Sequence, residues 1–374
     1  MASTKAITPK FLLLFLSLFV ALVVAELLLR VCYPVADYVA VFPPFLSYHL
    51  EPDSTILYGI SGSKHFSTDR LGIRKFSNDN PLSYEILFLG GSTTECLYLD
   101  DTETWAYLLT HKLKRKGGSI GKSGQTSIEH YMQLKYFTPQ LPRLHTVVIT
   151  CGLNDMLKAL ADTTLSRSIR AYDQDSLYRY TFTHTTQFTA THSLRLLQLL
   201  RNSYRSFFPD TTGQAVQDIQ GHCYKQWRSH RTTAPHLITQ LPTSYLDRIA
   251  EYKSNISEII ALAQQQHLHL IFIGQTSTWS DTIATASRNR LWMGGTGHYQ
   301  TESGHDYYTT AVLSQLLAKY NRATQDICRS RGIRFIDISH FPPSVLYFYD
   351  DCHFSQRGAM ALSDSLYYAV KDSI

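Results

Sequence analysis

Residues Tyr84 to Thr94 read YEILFLGGSTT, and this stretch decides the fold. Tyr84 to Leu89 is a short, nearly continuous apolar run that stops at Gly90-Gly91, and Ser92-Thr93 begins a helical stretch. Three further runs share this character: His145 to Thr150 (HTVVIT), Leu268 to Ile273 (LHLIFI) and Gly332 to Asp337 (GIRFID). Continuous rather than alternating apolar residues, in strands separated by helices, predict a parallel sheet covered on both faces. The intervening helix over 245–266 carries Leu246, Ile249, Ile256, Ile259, Ile260 and Ala263 on one stripe, and Ser244 with Asp247 resembles a capping box. A last helix starts near Ser355, a suitable N-cap. The fold class is α/β, and in such sheets ligands bind outside the carboxyl ends of the strands.

Composition narrows the function classes. Of 374 residues, 44 % are apolar and 17 % charged, with 24 Tyr and 18 Phe, so the chain buries a large core and is not disordered. A net charge of +5 is too mild to point to nucleic acid. Six cysteines without a paired C-x-x-C do not make a structural zinc site, and no metal or organic cofactor is called for. Cys96, Cys151 and Cys352 read as small buried hydrophobes.

The chemistry gathers where strands end. Ser92 opens a helix, where its own N–H lies at the positive end and its hydroxyl is free to attack a carbonyl. Taken alone, G-G-S-T-T is a helix cap more often than a nucleophile. A serine nucleophile needs a base and the base an orienter. Asp350-Asp351-Cys352-His353 supplies both: Asp350 and His353, three apart, can face one another, with Asp351 as the competing acid. Gly124, in a glycine-bounded loop, and Asn154, in Gly152-Leu153-Asn154-Asp155, are candidate oxyanion donors.

These four pieces, in this order, resemble the SGNH hydrolases, also called the GDSL esterase/lipase family, over 84–374. Ser92 corresponds to the nucleophile block, here GGST in place of GDS, and Gly124, Asn154 and Asp350-x-x-His353 to the other three. The resemblance implies a flavodoxin-like α/β/α sandwich with a mostly parallel five-stranded sheet in the order 2-1-3-4-5. It also implies a serine esterase: Ser92, His353 and Asp350 catalytic, with Ser92, Gly124 and Asn154 as the oxyanion hole. Two departures stand out. The run before Gly124 is so poor in apolar residues that the second strand must be very short, and residues 161–243 exceed what a compact member needs.

Ahead of this domain, Lys5 and Lys10 precede an apolar stretch from Phe11 to Val31, interrupted by Ser17, Glu26 and Arg30. Its length suits a membrane-spanning signal anchor (1–32), with the rest of the chain on the exported side. Cleavage after Ala25, giving a secreted form, is the competing reading. Residues 33–83 read as a membrane-proximal segment wrapping onto the main domain. The insertion at 161–243 carries nine Lys and Arg against five Asp, with Arg195, Arg201 and Arg205 in one amphipathic helix. It is expected to pack on the domain or to form a basic wall of the site. The expected activity is hydrolysis of an acetyl or acyl ester of a glycan or lipid. An O-acyltransferase acting on a surface polysaccharide, and a non-catalytic binding domain of the same fold, are the alternatives.

Overall fold

The computed structural model describes residues 9–32, 41–76, 80–162, 168–171, 195–207, 218–241 and 245–374. Helix α1 (Pro9–Cys32) leads the chain. It is followed by a hairpin, β1 (Ser47–Leu50) and β2 (Lys64–Ser67), and by β3 (Arg74–Lys75). The central sheet continues with β4 (Ile86–Leu89), β5 (Gly117–Ser119) and β6 (Thr146–Thr150). Helices α2 (Ser92–Glu95), α3 (Trp105–Leu113), α4 (Ser127–Tyr136) and α5 (Leu153–Ala161) connect or follow these strands. Next come α6 (Arg195–Phe207), α7 (Cys223–Thr232), β7 (Leu237–Ile238) and α8 (Tyr245–Gln265). The chain ends with β8 (His269–Ile273), α9 (Thr285–Arg288), β9 (Tyr307–Tyr308), α10 (Thr310–Ser330), β10 (Arg334–Ile336) and α11 (Gln356–Val370).

The sheet order is β10-β8-β6-β4-β5-β3, parallel throughout except for β3. The five parallel strands therefore follow the 2-1-3-4-5 order. The expected five-stranded sheet is corrected to six, because β3 adds an antiparallel edge: Arg74 pairs with Ser119 and Lys75 with Gly118. Every residue of β4 and β6 is buried, as their unbroken apolar runs require. The second strand, β5, has only three residues, Gly-Gly-Ser; a Cβ at Gly118 would lie 2.4 Å from Ile73 Cγ2, so its glycines let β3 approach. Helices α3 and α11 pack together, while α4 and α10 both pack on α8, giving three layers. The N-cap of α11 is Ser355, which accepts from Gly358 N at 3.1 Å. Ser244, the cap expected for α8, lies outside the described residues.

Among the described residues of 41–83, Val41, Phe42, Leu46, Leu50, Ile56 and Phe66 belong to the same buried core as the sheet. Helix α1 stands apart, with Phe11, Leu13, Leu14 and Phe15 each about two-thirds exposed. Leu13–Val31 has a mean hydropathy of 2.4 and is long and apolar enough to cross a membrane. Glu26 and Arg30 pair on it at 2.8 Å, and the N–H of Leu196 at the start of α6 donates to Glu26 at 3.1 Å.

Candidate active site

The three loops after β4, β5 and β6 bring Ser92, Gly124 and Asn154 together. Ser92 starts α2, so its N–H has no acceptor within the helix. The turn before it tolerates nothing larger than glycine. A Cβ at Gly90 would lie 2.2 Å from Thr94 Oγ1, and one at Gly91 would lie 2.3 Å from Asn154 Nδ2. At its other end α2 stops at Cys96 in the left-handed region. There the buried guanidinium of Arg74 donates to the carbonyls of Glu95, Cys96 and Leu99, with Asp101 Oδ1 at 2.7 Å from Nε. A cation at the C-terminal carbonyls suits the helix dipole and pins the Ser92 turn to the sheet edge.

Two carboxylates tie the loops to one another. Glu95 accepts from Ser123 N at 2.7 Å and from its hydroxyl, holding the chain just before Gly124, whose φ of +79° suits glycine. Asp155 accepts from Ser127 N at 3.1 Å, from the Ser127 hydroxyl and from Gly152 N at 3.3 Å. Asn154 itself donates from Nδ2 to Gln125 O at 2.8 Å, which fixes the amide beside Gly91.

On the loop before α11, Asp350 is the acid that reaches the imidazole. Its Oδ2 is 2.6 Å from His353 Nδ1, and its Oδ1 accepts from the backbone of Cys352 (3.0 Å) and His353 (2.8 Å). Trp292 Nε1 adds a further bond to Oδ2 at 2.8 Å. Burial favours a neutral Asp350, yet the facing His353 charge and these donors hold its carboxyl below the usual range. Burial likewise opposes a charged His353, and the Asp350 carboxylate outweighs it, leaving the imidazole above its ordinary value. Asp351 turns the other way, accepting from Trp279 Nε1 at 2.7 Å and Trp292 N at 2.8 Å. Burial and the neighbouring Asp350 push it up to about 6.

Ser92, Gly124, Asn154 and His353 all open on one cavity of about 460 Å³. Part of its lining is aromatic: Tyr224 and Trp227 from α7, with Trp292 and Tyr299. The Trp227 and Trp292 rings lie 4.4 Å apart. Among the described residues, the insertion contributes Tyr224 and Trp227 to the cavity lining. Arg228 donates to the carbonyls of Arg290 (3.2 Å) and Tyr349 (3.3 Å), and Arg231 to those of Met293 and Tyr308, so these two cations brace backbone. The side chains of Arg195, Arg201 and Arg205 lie outside the described residues. Sequence reasoning missed Glu95, Arg74 and Trp292, which meet their partners across long stretches of chain with no periodicity to announce them.

Among the described residues, Asp350, Cys352 and His353 bring three metal-type ligand atoms within 4.8 Å of one another. Their chemistry does not suit a metal: His353 Nδ1 is held by Asp350, and burial pushes the Cys352 thiol well above its ordinary value. Cys96, four residues from Ser92, is pushed by burial up to about 12, so it is no ready nucleophile.

A model of the GDSL-like Lipase/Acylhydrolase family matches residues 88–361, which takes in Ser92, Gly124, Asn154, Asp350 and His353. The chain belongs to this family. It is a serine ester hydrolase of the GDSL type, on the α/β fold that the sheet order describes. Solved structures with similar folds include a G-D-S-L family protein from Desulfitobacterium hafniense DCB-2 (9 % identity, TM-score 0.40, 76 % of this chain and 99 % of that one). Another is Axe2, an acetylxylan esterase from Geobacillus stearothermophilus (11 % identity, TM-score 0.38, 77 % and 94 %). No curated protein sequence matches the chain. At this level of similarity the assignment rests on the family match.

Proposed function

We propose that this GDSL hydrolase removes an O-acyl group from a ring-bearing alcohol, a glycan, with Ser92 as nucleophile. Ser92 Oγ attacks the ester carbonyl and its proton passes to His353 Nε2, while Asp350 holds the other ring nitrogen. The N–H groups of Ser92 and Gly124 and the Asn154 amide receive the oxyanion. Collapse expels the alcohol, protonated by His353; water, deprotonated by the same imidazole, then releases the acid and regenerates Ser92. The observation that carries this reading is one cavity bounded by both Ser92 and His353, with the imidazole 2.6 Å from a buried carboxylate. Aromatic rings lining the same cavity as the nucleophile favour a sugar ring over a flexible acyl chain. The apolar span Leu13–Val31 of α1, with Lys5 and Lys10 ahead of it, acts as an uncleaved anchor that leaves the catalytic domain on the exported side.

The test is fluorophosphonate labelling of the parent and of Ser92→Ala, followed by a short ester panel. Label and turnover should vanish in the variant, by about 10⁶-fold in kcat, as when a triad serine is removed. Label that persists on Ser92→Ala overturns the nucleophile. A kcat/KM higher for an acetylated oligosaccharide than for a decanoyl ester supports the glycan; the reverse order assigns a lipid. Acetyl transfer to added glycan in preference to water makes the protein a transferase.

A further inference from the structure

We infer that Trp292 is a positioning residue: its indole N–H sets the Asp350–His353 pair, while its ring forms part of the substrate cavity. The inference rests on the assignment of Asp350 and His353 to the base.

Three observations carry it. First, Trp292 Nε1 donates to the same oxygen, Asp350 Oδ2, that faces His353 Nδ1, at 2.8 Å and 2.6 Å respectively. A carboxylate oxygen shared by two donors is restrained in two directions, and with Oδ1 held by backbone N–H groups the Asp350 side chain has no rotational freedom left. Second, the indole is itself anchored. Its backbone N–H donates to Asp351 Oδ2 at 2.8 Å, and Met293, the next residue, has its carbonyl engaged by Arg231. The adjacent acids thus grip one residue from both ends, Asp350 by its side chain and Asp351 by its main chain. Third, Trp292 lines the cavity, lies against Trp227 at 4.4 Å and is parallel to the His353 ring within 6°. A sugar ring seated on this wall therefore presses on the group that fixes the orienting carboxylate.

The electrostatic consequence has a definite sign. The indole donor stabilises the charged Asp350. Without it the carboxylate is a stronger acceptor, pulls harder on the Nδ1 proton and raises the basicity of the imidazole. A residue that only filled space would leave the imidazole untouched.

The test compares the parent with Trp292→Phe, which keeps a ring and deletes the donor, using p-nitrophenyl acetate across pH and correcting for active sites by fluorophosphonate titration. About a tenfold fall in kcat with KM within twofold is expected, together with an upward displacement of the acidic limb of kcat/KM. The far-downfield proton resonance of His353 should shift as well. If Trp292→Phe does not fold, β-(3-benzothienyl)alanine at position 292, which exchanges the N–H for sulfur at nearly constant shape, decides in its place. A parental pH profile merely scaled by the active fraction, or a change confined to KM, overturns the proposal. Asp350→Asn run alongside separates the two levels: if that variant keeps parental activity, the reading of the base has failed and not the role of Trp292 alone.

Discussion

The two walls of the cavity are built by opposite means. On one, Ser92, Gly124 and Asn154 stand three, five and four residues beyond the ends of β4, β5 and β6, so a buried strand aims each of them directly. Short staples complete that wall: Glu95 to Ser123, and Asp155 to Ser127 and Gly152. On the other, Tyr224 and Trp227 come from the insertion and Trp292 and Tyr299 from the segment after β8, with two arginines of α7 gripping backbone carbonyls to hold them there. The first wall carries groups that act on charge arising in the transition state. The second carries surface area. Apart from Trp292, whose indole N–H reaches Asp350, mutations on the two sides should therefore separate into kcat effects and KM effects.

The largest effect should come from the acid pair that bridges the walls. Asp350→Asn should lower kcat by about 10⁴-fold, because an amide at Oδ2 admits the wrong imidazole tautomer. Asp351→Asn should cost far less, since Asp351 holds the Trp279 and Trp292 N–H groups and does not touch the imidazole. The pH profile checks the mechanism behind this. His353 is raised by Asp350, so activity in the parent should appear as the pH climbs past a value above the ordinary imidazole pKa of about 6.5. Removing the carboxylate removes the raising charge, and the residual activity of Asp350→Asn should have its acidic limb at lower pH. An unmoved limb, or a worse Asp351→Asn, breaks the bridge.

Asn154→Ala sharpens the chemical wall alone. Its kcat should fall by about 10²–10³-fold on every ester, large or small, with KM nearly unchanged, as for loss of one oxyanion donor. Trp227→Ala addresses the other wall and should have the smallest effect, a roughly three- to tenfold rise in KM for an acetylated oligosaccharide and none for p-nitrophenyl acetate. Steady-state kinetics on the two substrates decides both: a kcat loss in Trp227→Ala, or a substrate-dependent loss in Asn154→Ala, would merge the walls into one.

The same division explains what reading the chain could reach. The strands over 86–89, 146–150 and 269–273 are legible because burial on both faces demands unbroken apolar runs. Even β5 was foreseeable as a very short strand, since its glycines leave almost no apolar signal. The insertion reads in the sequence through its charge, whereas among its described residues Arg228 and Arg231 donate to backbone carbonyls and Tyr224 and Trp227 line the cavity. The hairpin β1–β2 and the two-residue edge strand β3 are not legible in the sequence, because elements this short have no period to detect.

By itself, then, the sequence determined the α/β sheet, the apolar span of α1, and the four blocks that stand at strand ends or three residues apart. Each of these is local: a backbone direction or a spacing carries it, and a few neighbouring residues suffice to state it. Only the tertiary structure decided that Asp350 shares Oδ2 between His353 and Trp292, that Arg74 closes the Ser92 helix, and that aromatic rings line the cavity of the nucleophile. Those contacts join segments far apart in the chain, and what selects them is close packing and the need of every buried polar group for a partner, neither of which leaves a periodic mark along the sequence.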